Sequence, residues 1–317
     1  VAIGANAFYG NADNTTTGAD GTTAIGYNSL FSLTTGPQNT AIGSYNSDAL
    51  TTGGYNTAVG RSTLGALTAG SHNVALGRAT LTTAADDESN NIAIGNSALG
   101  AAKQDGTVSS TNREVKENIA IGVDALIGGT LTGTNHLEGN IAIGHQAMDA
   151  TGANNQIGTV AIGHQSLSSL TSGNYNVAIG YQTLYNTVTH QYNVAIGYTT
   201  LRDCVGNSNT GVGYASLRST AAGQYNTALG HESLYSNSST SNNTAVGYQS
   251  GYYTTGADNT YVGYAAGKGG SGAETKNIGI GSSALVSITS GADNVAIGAN
   301  AGDAITSGSS MILIGRN

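Results

Sequence analysis

The most regular feature of the chain is a short motif in which small, aliphatic and polar residues follow one another in a fixed order. An aliphatic residue followed by Gly recurs 18 times, from Gly4 to Gly315, most often at a spacing of 17 residues. The residue two before this motif glycine is Ala in 14 motifs, and the residue four before it is Asn in 14. The fourth residue after it is commonly Leu. Self-similarity at this period is typical of repeat architectures.

Each motif predicts a short β-strand that ends at the motif glycine. Period-2 alternation with β-branched residues is typical of strands, and Gly and Asn suit corners with positive φ. A 17-residue unit is too short for a βαβ crossover and too small to bury a face alone, so an all-β parallel β-solenoid of stacked coils is expected. The expected organisation is one array of 18 coils over residues 1–317, cut at both ends from a longer protein. Widened coils are expected at 4–26, 95–122 and 122–144.

Each motif position becomes a column along the axis of such a solenoid. We expect the aliphatic column and the Leu column to fill a dry interior, and the Asn column to form an amide ladder between coils. The Ala column is expected to face the other way, against a partner chain, because an open strand would tolerate larger polar residues. The candidate interface residues are Ala41, Ala58, Ala93, Ala178 and Ala195.

Composition and charge exclude several classes of protein. The chain has 48 Gly but one Pro and no G-X-Y period, which excludes collagen, and it has no apolar run long enough to insert in a membrane. The net charge is −8 with only 10 Lys and Arg, so no basic stripe is evident and nucleic acid is not an expected partner. A single cysteine, Cys204, excludes an intrachain disulfide and is expected to be a small buried hydrophobic residue.

The units NVAIGYQTL and NIAIGNSAL resemble the head repeats of trimeric autotransporter adhesins of the YadA type, and equally the related repeats of bacteriophage tail fibres. The resemblance covers nearly the whole chain, although the coils here are longer and less uniform than in the adhesins. It implies a left-handed β-roll and a homotrimer of three chains, side by side or intertwined. It also implies an extracellular location, on a virion tail fibre or a bacterial surface, and a glycan or protein receptor on a cell.

Catalytic and metal-binding patterns are weak. No nucleophile elbow, zinc-protease motif or phosphate-binding loop is present, so neither enzymatic activity nor a cofactor is expected. His145 and His164 follow the motif glycine in adjacent coils and could approach a metal in a trimer. Tyrosines occupy the same column elsewhere, which favours a general surface position. The acidic run 86–88 is interpreted as a solvated turn.

Tyrosine and the widened coils carry the candidate binding residues. Of 17 tyrosines, 13 lie between Tyr175 and Tyr264, and 11 of these lie in columns five before, one after or five after the motif glycine. These rings either stack for stability or bind the sugar rings of a cell-surface polysaccharide. The long coil between Gly95 and Gly122 is charged and is either a binding loop or a tolerated bulge. The candidate contacts are Tyr175, Tyr181, Tyr192, Tyr198, Tyr225, Tyr248, Lys103, Arg113 and Lys116.

The leading hypothesis is a structural and binding segment of a surface-exposed fibre that attaches to a cell, without catalysis. Two alternatives remain open. An ice-binding solenoid would use an interrupted threonine column, namely Thr34, Thr51, Thr68, Thr171, Thr289 and Thr306. A glycan-degrading trimeric solenoid would need paired carboxylates in a groove, and none is evident.

Overall fold

The computed structural model describes residues 1–10, 18–82, 88–100, 103–104, 115–131, 135–152, 154–219, 222–237, 239–270 and 272–317. These residues form short β-strands and turns without a helix, in two compact units, Val1–Asn174 and Tyr175–Asn317. No helix in the described ranges is long and apolar enough to cross a lipid bilayer.

The first unit contains 14 strands among its described residues. They are β1 (Ala2–Ile3), β2 (Thr23–Ile25), β3 (Thr40–Ile42), β4 (Thr57–Val59), β5 (Val74–Leu76), β6 (Ile92–Ile94), β7 (Lys103–Gln104), β8 (Val115–Lys116), β9 (Ile119–Ile121), β10 (Thr130–Leu131), β11 (Leu137–Glu138), β12 (Ile141–Ile143), β13 (Gln156–Ile157) and β14 (Val160–Ile162). The second unit contains nine described strands. They are β15 (Val177–Ile179), β16 (Val194–Ile196), β17 (Thr210–Val212), β18 (Thr227–Leu229), β19 (Thr244–Val246), β20 (Thr260–Val262), β21 (Ile278–Ile280), β22 (Val295–Ile297) and β23 (Ile312–Ile314).

One strand per coil pairs in parallel with its counterpart in the next coil. In the first unit the main ladder runs β1-β2-β3-β4-β5-β6-β9-β12-β14, and in the second it runs from β15 to β23 in sequence order. The register keeps equivalent residues opposite each other; Ala41, for example, pairs with Ala24 and Ala58. The prediction of an all-β parallel β-solenoid with coils of about 17 residues is confirmed.

The widened coils add short ladders of their own. Strands β8, β11 and β13 pair in parallel, as do β7 and β10. Part of the extra length in these coils is therefore regular strand, and only the remainder could form a protruding loop.

The direction of the strand side chains differs from the prediction. In the three-residue strands the middle residue points inward and its two neighbours point outward, so the Ala column of these strands is buried and the aliphatic column before the motif glycine is partly exposed. Ala195, for example, is fully buried, whereas the adjacent Ile196 is 37% exposed. The interface prediction is wrong for all five alanines, since each is 0–1% exposed inside its own coil: Ala41, Ala58, Ala93, Ala178 and Ala195.

A narrow interior explains why the inward position is small. At Gly211, which replaces Ala in this column, a β-carbon would lie 2.8 Å from Cγ2 of Thr200 and 3.2 Å from Cδ1 of Leu201. In coils with the common Leu, that fully buried side chain and the residue before it therefore occupy most of the space across the coil. A side chain larger than Ala would overlap with them, so the constancy of Ala reflects the width of the coil and not a partner chain.

In two coils, a larger residue in the Ala column is accompanied by a smaller residue in the facing Leu column. Tyr261 replaces Ala and is fully buried, and the Leu column holds Gly267 in the coil of Tyr261 and Gly251 in the preceding coil. Leu313 likewise replaces Ala and lies opposite Gly302, whose β-carbon would be 3.5 Å from its Cδ1. A large residue in one column is thus matched by glycine in the other.

The buried Asn column forms the predicted amide ladder. The Oδ1 atom of Asn226 accepts the backbone N–H of Asn243 at 3.0 Å, and its Nδ2 donates to Oδ1 of Asn209 at 3.1 Å and to the carbonyl of Thr240 at 2.9 Å. Equivalent bonds run from Asn39 to Asn140 in the first unit and from Asn176 to Asn294 in the second. Each amide satisfies backbone groups of the next coil that would otherwise be buried without partners.

The motif glycines form a column that excludes side chains. Their φ angles lie between +125° and +141°, and a β-carbon on Gly144 would lie 2.5 Å from the carbonyl oxygen of Gly163 in the next coil. Only glycine allows both this backbone conformation and this approach between coils.

Candidate binding surface

An aromatic column follows the motif glycine through six consecutive coils of the second unit. Its members are Tyr181, Tyr198, Tyr214, His231, Tyr248 and Tyr264. Neighbouring rings stack with centroids 4.7–5.3 Å apart and planes 2–23° from parallel. The five tyrosines are 39–59% exposed. In-register pairing of the strands produces this column, because each coil repeats the preceding position one strand spacing further on.

Stacking determines which part of each ring meets solvent. Tyr198 is covered on both faces, by Tyr181 and Tyr214, so only its edge and hydroxyl group are open. Tyr264 is 59% exposed, and the next coil places Ser282 rather than a ring at its position. Sugar rings pack against open aromatic faces, so Tyr264 suits such a contact better than Tyr198.

The tyrosines five before the motif glycine are also exposed. Tyr175 and Tyr192 stack at 5.5 Å, whereas Tyr225 is 62% exposed and the neighbouring coils place Ser208 and Asn242 in its column. No ring covers either face of Tyr225 from these coils. Of the predicted contact residues, Tyr225 therefore has the most accessible aromatic faces.

A second column, five after the motif glycine, combines cations with tyrosines. We call it the cation–tyrosine stripe; its members are Tyr185, Arg202, Arg218, Tyr235, Tyr252 and Lys268. Its tyrosines are among the columns predicted from the sequence, but its cations are not. The same spacing from the motif glycine identifies all six residues.

An outer aliphatic face runs along the main ladder of the second unit. It consists of the first and third residues of strands β15–β23, which flank the buried middle residue. Leu229 is 48% exposed and Ile280 and Ile297 are 39% and 38% exposed. Threonines occupy the first position in four successive strands: Thr210, Thr227, Thr244 and Thr260.

The charged widened coil is described only in part. Arg113 and the side chain of Lys103 lie outside the described residues. Lys116 lies on β8 with its Nζ 3.5 Å from the carboxylate of Glu138 on the paired strand β11. Of the acidic run, residues 86 and 87 are outside the described ranges, but Glu88 is 1% exposed, so the prediction of a solvated turn is wrong for this residue.

The surroundings of the remaining candidate residues, His145, His164 and Cys204, favour a structural role. His145 and His164 stack at 5.2 Å, as their adjacent coils predict, and no group of three or more His, Cys, Asp or Glu that could hold a metal occurs among the described residues. Cys204 is fully buried, as predicted, and burial raises the pKa of its thiol to about 11. A protonated, buried thiol is a poor nucleophile.

Comparison of the chain with models of known protein families finds no match, and neither does comparison with curated protein sequences.

Proposed function

We propose that the chain is a structural and binding segment of a surface-exposed fibre that attaches to a cell, without catalysis. The observation that carries this proposal is the set of exposed tyrosines on the second unit, among which Tyr225 and Tyr264 have ring faces that no neighbouring ring covers. Several such contacts on one chain let individually weak contacts act together on a repetitive surface polymer. The resemblance to adhesin and tail-fibre repeats supports an extracellular location, on a virion or a bacterial surface.

Binding of the labelled full chain to bacterial cells tests the proposal. Tyr225→Ala and Tyr264→Ala remove rings with open faces, and Tyr198→Ala is the matched control because its ring is covered on both sides. We expect the first two changes to reduce cell binding and the third to leave it nearly unchanged. A wild-type chain that binds no cell, or equal losses in all three variants, would contradict a direct role of these rings.

We further propose that the chain forms a homotrimer through its outer aliphatic face. The third residues of strands β15–β23, which are all aliphatic and at least partly exposed, support this arrangement, because burying a continuous apolar row is a strong driving force for association. Light scattering should give three times the chain mass of 31.5 kDa, and Ile196→Asp with Leu229→Asp should give the single-chain mass. Ser219→Asp, on another exposed position, is the control. A wild-type chain with the single-chain mass overturns this proposal.

Ice binding is a second candidate, supported by the register of Thr210, Thr227, Thr244 and Thr260 on a sheet face. The threonine column predicted from the sequence is less suitable, because the hydroxyls of Thr34, Thr51 and Thr289 donate to carbonyls of the next coil. Thermal hysteresis of the purified chain, reduced by Thr227→Lys with Thr244→Lys, would favour this candidate over the fibre.

A further inference from the structure

The cation–tyrosine stripe has a definite geometry in the second unit. The guanidinium carbon of Arg202 lies 5.6 Å from the centre of the Tyr185 ring, one coil earlier, and that of Arg218 lies 5.8 Å from the Tyr235 ring, one coil later. Nη1 of Arg218 also donates a hydrogen bond of 3.0 Å to the Tyr235 hydroxyl. These contacts hold both side chains in defined positions on a half-buried surface.

The stripe continues towards later coils. Tyr235 and Tyr252 stack at 5.0 Å with planes 7° apart, and Nζ of Lys268 lies 5.9 Å from the centre of the Tyr252 ring. Each of six consecutive coils therefore places either a cation or an aromatic ring in this column. Three of the ten Lys and Arg residues of the chain lie in this one column.

The cations of the stripe have no carboxylate partner among the described residues. The ion pairs among the described residues join Lys116 to Glu138 and His231 to Glu232. Two acidic residues belong to neighbouring columns, but each has another partner. Asp203 accepts a hydrogen bond from Asn186, and Glu232 accepts one from Gln249.

Arg202 also has an unused donor. Its Nε is buried and makes no hydrogen bond in the described structure. Arg202 and Arg218 occupy adjacent coils, about 4.8 Å apart along a parallel ladder, and each guanidinium group leans toward the tyrosine on its far side. An acidic polymer that runs along the coils would therefore meet the two cations one after the other.

We propose that the cation–tyrosine stripe binds an acidic linear polysaccharide that runs along the stacked coils. Sugar carboxylates contact Arg202, Arg218 and Lys268, and the tyrosine hydroxyls and ring edges contact the sugar rings. This inference rests on the proposed attachment to cells and names the chemistry of the receptor. A protein of net charge −8 with three aligned cations neutralises few phosphates, which disfavours nucleic acid.

Calorimetric titration of the full chain with oligogalacturonate at low salt tests the proposal. The double variant Arg202→Gln/Arg218→Gln removes two charges from the stripe, and Lys276→Gln/Arg316→Gln removes two charges elsewhere in the same unit. We expect about a tenfold or larger loss of affinity in the first variant, as for lost hydrogen bonds to charged groups, and less than about a twofold change in the second. Equal losses in both variants, or no binding by the wild type, overturn the proposal.

Three further probes identify the chemistry of the anion. Methyl-esterified oligogalacturonate should bind at least about tenfold more weakly, since it lacks the charge. Tighter binding of poly(glycerol phosphate) or of oligothymidylate than of oligogalacturonate overturns the assignment to a carboxylated glycan. Arg202→Lys/Arg218→Lys keeps the charge and should bind with intermediate affinity, which keeps the test informative if the Gln variant does not fold.

Cell binding separates this inference from the proposed function. If the wild-type chain and Arg202→Gln/Arg218→Gln bind cells equally well, the proposed role of the stripe is contradicted but the proposed fibre function is not. A wild-type chain that binds oligogalacturonate but no cell contradicts the fibre but not the stripe.

Discussion

Tyr261 and Gly267 face each other across the interior of one coil, and a β-carbon on Gly267 would overlap with Cδ1 of the Tyr261 ring. In most other coils the same two positions hold Ala and Leu. The glycine therefore makes room for the ring, and the total volume of the two facing side chains stays nearly constant. This relationship predicts that the two positions are energetically coupled.

Tyr261→Ala should destabilise the second unit by about 3–5 kcal/mol, because it leaves a cavity in a packed interior. Gly267→Leu should cost about 1–3 kcal/mol or more through overpacking. The double variant restores the Ala–Leu pair of other coils, so its loss should be smaller than the sum by more than about 1 kcal/mol. Urea unfolding followed by circular dichroism measures all three, and additive losses would show that the positions are independent.

Asn226→Ala should destabilise the second unit by about 1–3 kcal/mol, because the buried N–H of Asn243 loses its acceptor. Asn186→Ala is the control. Asn186 is exposed and makes one side-chain bond, to Asp203, so its removal should cost within about 0.5 kcal/mol. Thermal melting distinguishes the two variants, and similar melting temperatures would contradict the role of the ladder.

Gly144→Ala should prevent coils of the first unit from stacking, since a β-carbon would meet the carbonyl of Gly163. Gly139→Ala provides the comparison. Gly139 also has a positive φ, +64°, but no atom within 4 Å of a β-carbon, so only the backbone penalty of about 1–2 kcal/mol applies. Soluble yield and melting temperature report the difference, which would vanish if positive φ alone required glycine.

Glu274 predicts a pH dependence. Its carboxyl is fully buried, and burial raises its pKa from 4.5 to about 8. The folded protein therefore binds this proton more tightly than the unfolded chain does. Stability falls as pH rises from about 4.5 to about 8, by on the order of a few kcal/mol, and levels off above that range.

Melting temperatures of wild type and Glu274→Gln across this pH range test that prediction. The difference between the two proteins should grow in favour of Gln as pH rises. Glu232→Gln, at a partly exposed carboxylate, is the control. A constant difference between wild type and Glu274→Gln would mean that the carboxyl does not bind its proton more tightly in the folded state.

The strands, their register and the Asn ladder could be predicted from the sequence, because each depends on one residue type at one spacing. It was harder to predict which side chains of each strand point into the coil. Ile196 is more hydrophobic than Ala195, so hydrophobicity alone places Ile196 inside. The width of the coil decides otherwise, because Leu201 already occupies most of the space. The inverse pairing of Tyr261 with Gly267 was the sequence signal for this arrangement.

The candidate site was predicted in part for a similar reason. The spacing of the tyrosines predicts their columns, and the structure shows the corresponding ring stacks. A count of cations over the whole chain does not show the alignment of Arg202, Arg218 and Lys268, which depends on their shared distance from the motif glycine. The open faces of Tyr225 follow from Ser208 and Asn242 in adjacent coils, a comparison that needs the register of the ladder.

The matching of large and small residues in facing columns also limits which coils can be added to such a chain or removed from it. A coil with the common Ala–Leu interior usually has neighbours with the same interior on both sides, so adding or removing one such coil would leave the packing of its neighbours unchanged. The coil of Tyr261 depends on Gly251 in the preceding coil as well as on its own Gly267. Removing only the preceding coil would place Leu234 where Gly251 now lies beside the Tyr261 ring, and the leucine side chain would have no room there.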